Sequence, residues 1–113
     1  MTLQSNHTAF VDALAEYEKD TDAYADALWI EQEAEAERHL VKQQAMLRLM
    51  ELDNPTMPGK KYSASQAENF VELDDEYAAY LHRQRQHTTA RIVAHTKMES
   101  ARLRGLALAK GAL

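Results

Sequence analysis

The side chains able to do chemistry stand without the company that chemistry needs. His39, His82, His87 and His95 lie in polar stretches, and Glu35 precedes His39 by four residues. Carboxylate-bridged metal sites in helical bundles use Glu-x-x-His pairs on two helices, and metalloproteases use His-Glu-x-x-His. Neither spacing occurs. With no cysteine, disulfides and thiolate metal sites are excluded. Gly59-Lys60-Lys61 lacks both the spacing of a phosphate-binding loop and a strand before it. No Ser/His/Asp arrangement stands out. The expectation is a protein that is not an enzyme, binds no cofactor or metal and takes no small-molecule substrate.

The charged residues are more informative. The formal net charge is −5, but it is unevenly spread. Asp12, Glu16, Glu18, Asp20, Asp22, Asp26, Glu31, Glu33, Glu35 and Glu37 face a single base, Lys19, over residues 1–37. Arg83, Arg85, Arg91, Lys97, Arg102, Arg104 and Lys110 face only Glu99 over residues 81–113. Such asymmetry points to charged partners. It fits equally an antiparallel helix pair in which the acidic start neutralises the basic end. Nucleic-acid binding needs cations for phosphates and rings for unpaired bases. The candidates are Lys60, Lys61, Tyr62, Arg83, Arg85, Arg91, Arg102, Arg104 and Lys110. Glu31, Glu33, Glu35 and Glu37 are candidates for an acidic docking surface, although their alternation spreads them over several faces of a helix.

The elements that must position these groups are helical. Ala, Leu, Glu, Gln, Lys, Arg and Met dominate the composition, and they lose little rotamer freedom in a helix. Three Gly and two Pro are too few for the turns of a β fold. Helix 1 is expected over about residues 8–52, with Phe10, Leu14, Tyr17, Thr21, Tyr24 and Leu28 as a seam at spacings of four and three, widened by Trp29 and Ile30. The phase shifts through residues 31–37. At ~1.5 Å per residue such a helix is roughly 65 Å long. A Pro/Gly loop follows over about residues 53–63, since Asn54-Pro55 and Pro58-Gly59 break a helix. Helix 2 is expected over about residues 65–110, with Ser63 or Ser65 as its cap, Ser65-x-x-Glu68 as a capping box and Gly105 and Gly111 weakening its end. Its continuity through the polar run 82–89 is left open.

The expected fold is therefore all-α, a single domain over residues 1–113 built as a long antiparallel hairpin. One hairpin offers one seam, and so small a domain is hard to stabilise alone. Self-association into a helical bundle or ring is expected, with Phe10, Leu14, Tyr17, Tyr24, Leu28, Trp29, Phe70, Tyr77 and Leu81 as candidate contacts. The first residues do not read as a signal peptide, and no apolar run approaches membrane-spanning length. A cytoplasmic location with no membrane contact is the expectation, the host cytoplasm if the gene is a phage's.

Ser63-x-Ser65-x-Ala67-Glu68, then Asp75-Glu76-Tyr77-Ala78-Ala79-Tyr80-Leu81, then Glu99-Ser100-Ala101-Arg102-Leu103-Arg104-Gly105 resemble short helical proteins of bacteriophages encoded with homologous-recombination genes. More distantly they resemble the UvsY recombination mediator, with Leu106-Ala107-Leu108-Ala109-Lys110 similar to its apolar, Lys-bearing ending. Helix 1 adds Tyr17 and Trp29 ahead of a basic-apolar run, Arg38 to Leu49, and with it the resemblance covers about two-thirds of the chain. It implies a homo-oligomeric helical hairpin that binds single-stranded DNA and helps load a recombinase or annealing protein. Lys60, Lys61, Arg83 and Arg85 are the nearest counterparts of that family's basic DNA contacts. The acidic first helix departs from the family pattern. Two other readings remain open: an adaptor or inhibitor that docks on a host complex through its acidic helix, and a structural assembly factor without a ligand.

Overall fold

The computed structural model describes residues 3–112, and side chains over residues 6–111. The described chain is all-α: α1 (Leu3–Ala36), α2 (Arg38–Met50), α3 (Ala64–Asn69), a 3-10 turn (Val71–Leu73) and α4 (Asp75–Ala112). No described helix is long and apolar enough to cross a membrane. The chain divides into two compact units. Unit 1 is Met1–Glu31 with His87–Leu113, and unit 2 is Gln32–Gln86.

Unit 1 is an antiparallel pair of helices. Buried or half-buried residues of α1 recur at 10, 13, 17, 20, 24, 27 and 31, and those of α4 at 87, 91, 94, 98, 101, 105 and 108. This three-four alternation is the seam of a coiled coil. Phe10, Tyr17 and Tyr24 alternate with Ala13 and Ala27 along α1, while α4 supplies Ala94, Ala101 and Gly105. Rings on one helix thus meet small residues on the other, and Ala101 is fully buried. The expected seam was displaced by one position. Leu14 sits beside it at 42% exposure, and Thr21 and Leu28 are half-buried at its flank.

Unit 2 holds a small core of Ala45, Val71, Tyr77 and Tyr80, with Val41, Met46 and Leu81 packed against it. Several expected boundaries change here. Helix 1 does not run unbroken to Leu52. It is interrupted at Glu37, where the Ala34 carbonyl accepts from the Glu37 N–H at 3.2 Å and from the Tyr80 hydroxyl at 2.5 Å. A side-chain hydroxyl inserted into the carbonyl ladder is a recognised cause of a helix break. Helix 2 starts later than expected because Asp74 takes an N-cap position. Its carboxylate accepts from the Tyr77 N–H at 3.0 Å, which satisfies one of the orphan donors of the first turn of α4. The capping box belongs to α3 and uses Ser63 with Gln66 rather than Ser65 with Glu68: Ser63 Oγ accepts from Gln66 N at 3.2 Å and Gln66 Oε1 from Ser63 N at 3.0 Å. From Asp75 onward α4 is unbroken, through residues 82–89 and past Gly105 to Ala112. Acidic Asp75 and Glu76 at its start and Lys110 in its last turn complement the helix dipole.

The loop after α2 is ordered by one buried side chain. Asn54, 4% exposed, accepts on Oδ1 from the Thr56 N–H at 3.0 Å and the Thr56 hydroxyl at 2.7 Å. Its own N–H donates to the Lys60 carbonyl at 2.7 Å. Met57-Pro58-Gly59-Lys60 then forms a turn closed by Lys60 N–H to Met57 O at 3.0 Å, with Gly59 at φ +80°. Pro at the second and Gly at the third position are what a type II turn requires. Gly59→Ala has open space around the new methyl group, so only the backbone conformation opposes it. A loss of about 1–2 kcal/mol is expected, read as a lower urea midpoint.

Candidate nucleic-acid interface

The structure divides the candidate cations by whether a carboxylate already holds them. Arg91 Nε donates to both oxygens of Glu31, at 2.8 and 2.9 Å. Both side chains occupy seam positions, 30% and 18% exposed. The Arg91 hydrogen bond pulls the Glu31 carboxyl below its usual pKa, with burial opposing and Thr88 assisting. Arg104 reaches Glu16 across the helix pair at 2.9 Å. Arg102 donates to Glu99, one helical turn away on α4, at 2.9 Å, which holds the Glu99 carboxyl low. Three of the nucleic-acid candidates, Arg91, Arg102 and Arg104, are therefore engaged within unit 1. The charge asymmetry of the sequence is in part an internal pairing.

The remaining candidates are differently placed. Lys60 and Lys61 are exposed on the loop ordered by Asn54, and Arg83 and Arg85 are exposed on α4. All four belong to unit 2. None of them takes part in an ion pair among the described residues, and neither does Lys110 of unit 1. Tyr62 is half-buried. Its ring meets Phe70 edge-on, with centroids 6.3 Å apart at 61°, and Phe70 is 49% exposed. The Asp53–Lys61 bridge fixes the backbone from which both lysines project. Sequence reasoning named these groups but missed the device that holds them. Asn54 was legible only as a helix breaker, although Asn-x-Thr in a loop fits an Asx turn.

The acidic candidates fare in a similar way. Glu31 is held by Arg91. Glu35 pairs with Arg38 at 3.3 Å and accepts from the Gln84 amide at 3.0 Å. Glu33 and Glu37 are exposed. Among the self-association candidates, Tyr77 at 4% exposure and Leu81 fill the core of unit 2, which corrects their expected availability. Phe10, Tyr17, Tyr24 and Leu28 are half-buried along the seam of unit 1, where the Tyr24 ring meets His95 edge-on at 5.1 Å. Leu14, Trp29 and Phe70 remain exposed, Trp29 at 67%. Among the described residues no three His, Asp or Glu side chains gather as metal ligands. No family model, curated protein or solved structure matches the chain.

Proposed function

We propose that the chain is a non-catalytic, self-associating helical protein that holds single-stranded DNA through the free cations of unit 2. Its place would be accessory to a phage-type recombinase or annealing protein. One observation carries this reading: Lys60, Lys61, Arg83 and Arg85 have no carboxylate partner among the described residues, while the arginines of unit 1 that face acids are paired. The exposed Phe70 ring beside Tyr62 offers a surface on which an unpaired base can stack. The resemblance of residues 63–105 to recombination-accessory proteins points the same way. The adaptor reading is weaker, because Glu31 and Glu35 are spent within the chain and only Glu33 and Glu37 of that run are left for a partner. Exposed apolar side chains on both units support self-association, which would multiply weak cation contacts along one strand.

The test is fluorescence anisotropy with a labelled oligothymidine. Binding should weaken with salt, by a slope of roughly −0.7 in log K against log salt for each phosphate neutralised on a single strand. K60A/K61A should reduce the slope by about 1.4 and Arg102→Ala should leave it unchanged. No binding at high micromolar protein and low salt would sink the DNA reading.

A further inference from the structure

The least satisfied surface of unit 1 is one side of its helix pair. An apolar groove of about 210 Å³ runs there between Leu14 and Leu106, floored by Phe10, Tyr17 and Ala101. Leu14 and Leu106 are 42% and 47% exposed. Two heptads along α1 from Leu14 is Leu28, and two heptads back along α4 from Leu106 is Ile92, itself 51% exposed. Residues fourteen apart share a row of a coiled-coil helix, so these four side chains line the same side. The Glu16–Arg104 and Tyr24–His95 contacts fix the levels. Leu14 lies level with Leu106, and Leu28 with Ile92.

We infer that a second copy of this chain covers this side, related by a two-fold axis parallel to the helices, so that α1 of each copy lies on α4 of the other. The inference rests on the self-association in the proposed function and adds the face and the symmetry. Charge selects the arrangement. In unit 1, α1 is acidic with Lys19 as its only base, and the paired stretch of α4 is basic with Glu99 as its only acid. A two-fold axis across the helices would lay α1 on α1 and acid on acid. The axis along them lays acidic α1 on basic α4, with Glu18 level with Arg102 of the second copy, and like charges in such contacts are unfavourable. It also keeps the levels, so Leu14 meets Leu106 of the second copy and Leu28 meets its Ile92. The product is a four-helix bundle, whose helices pack through such flanking apolar rows.

The absence of cysteine makes disulfide trapping clean. Chains carrying only Leu14→Cys are mixed with differently tagged chains carrying only Leu106→Cys and oxidised at equilibrium. The same is done with Leu14→Cys and Leu28→Cys. The first pair should give the mixed dimer at least tenfold in excess of the second. Light scattering of the unmodified chain at ~100 µM should give the mass of two chains or a multiple of it. A monomeric mass would overturn both this inference and the self-association beneath it. An oligomer that traps Leu14 with Leu28 instead would overturn the inference alone.

Discussion

Replacing Tyr77 with alanine is expected to cost about 3–5 kcal/mol, the range for deleting a buried aromatic ring. Small single domains have roughly 5–15 kcal/mol in all, so this one change should bring unit 2 close to unfolding. Tyr77 is 4% exposed and stacks on Tyr80 with centroids 6.2 Å apart and planes 18° from parallel. Among the described residues its core companions are the buried Ala45, Val71 and Tyr80. The partly buried Val41, Met46 and Leu81 packed against this core can relax only partially into the space the ring leaves. Tyr77→Phe keeps the ring and removes the hydroxyl, the first cause of the raised Arg38 pKa, ahead of Glu35. It should cost under about 1.5 kcal/mol, the value of one hydrogen bond. Urea titration followed by far-UV circular dichroism separates the two variants. Equal midpoints would show that the hydroxyl rather than the ring holds the unit.

How much of this was legible follows from what each signal measures. The helices were legible because composition and three-four spacing act locally. The break at Glu37 left only a phase shift in the sequence, since its cause is Tyr80, far away in sequence. Ser63-x-x-Gln66 and Ser65-x-x-Glu68 satisfy the same capping rule. What separates them is packing: α3 lies on α2 and buries Ala67 completely. The seam was misplaced by one residue because large aliphatics were given the central positions. In a pair this close, alanine takes the centre and Leu14 is moved to the flank. Among the cations, residue type alone could not separate Arg91 and Arg104, which pair with acids of α1, from Arg83 and Arg85, which make no ion pair among the described residues.

The other large effect is expected at Asp74, which serves two elements at once. Its carboxylate caps α4 through the Tyr77 N–H. It also receives a two-pronged bond from Arg48 of α2, Nε to Oδ1 at 2.9 Å and Nη2 to Oδ2 at 2.7 Å. Its side chain is 10% exposed. Asp74→Ala removes the cap, worth about 1 kcal/mol, and a charge-assisted fork worth about 1.5–3 kcal/mol. Arg48 is 38% exposed and keeps Glu76 at 3.2 Å, which limits the loss to about 2–3 kcal/mol. Asp74→Asn can still accept from the Tyr77 N–H and should recover roughly 1 kcal/mol of it. The Arg48 hydrogen bond, opposed by burial and assisted by the Tyr77 N–H, holds the Asp74 carboxyl below its usual range. In the unfolded chain it titrates near 3.9. The folded form therefore binds this proton less readily, and its contribution is complete above about pH 4–5 and lost as pH falls through the depressed folded value. Acid titration of the native chain should show stability falling steeply below about pH 4. The Asp74→Asn variant should fall less steeply because it lacks this carboxyl, and the Glu31 carboxyl, lowered by Arg91, accounts for part of the fall that remains. Identical acid profiles for the two chains would remove Asp74 as a source of the acid sensitivity.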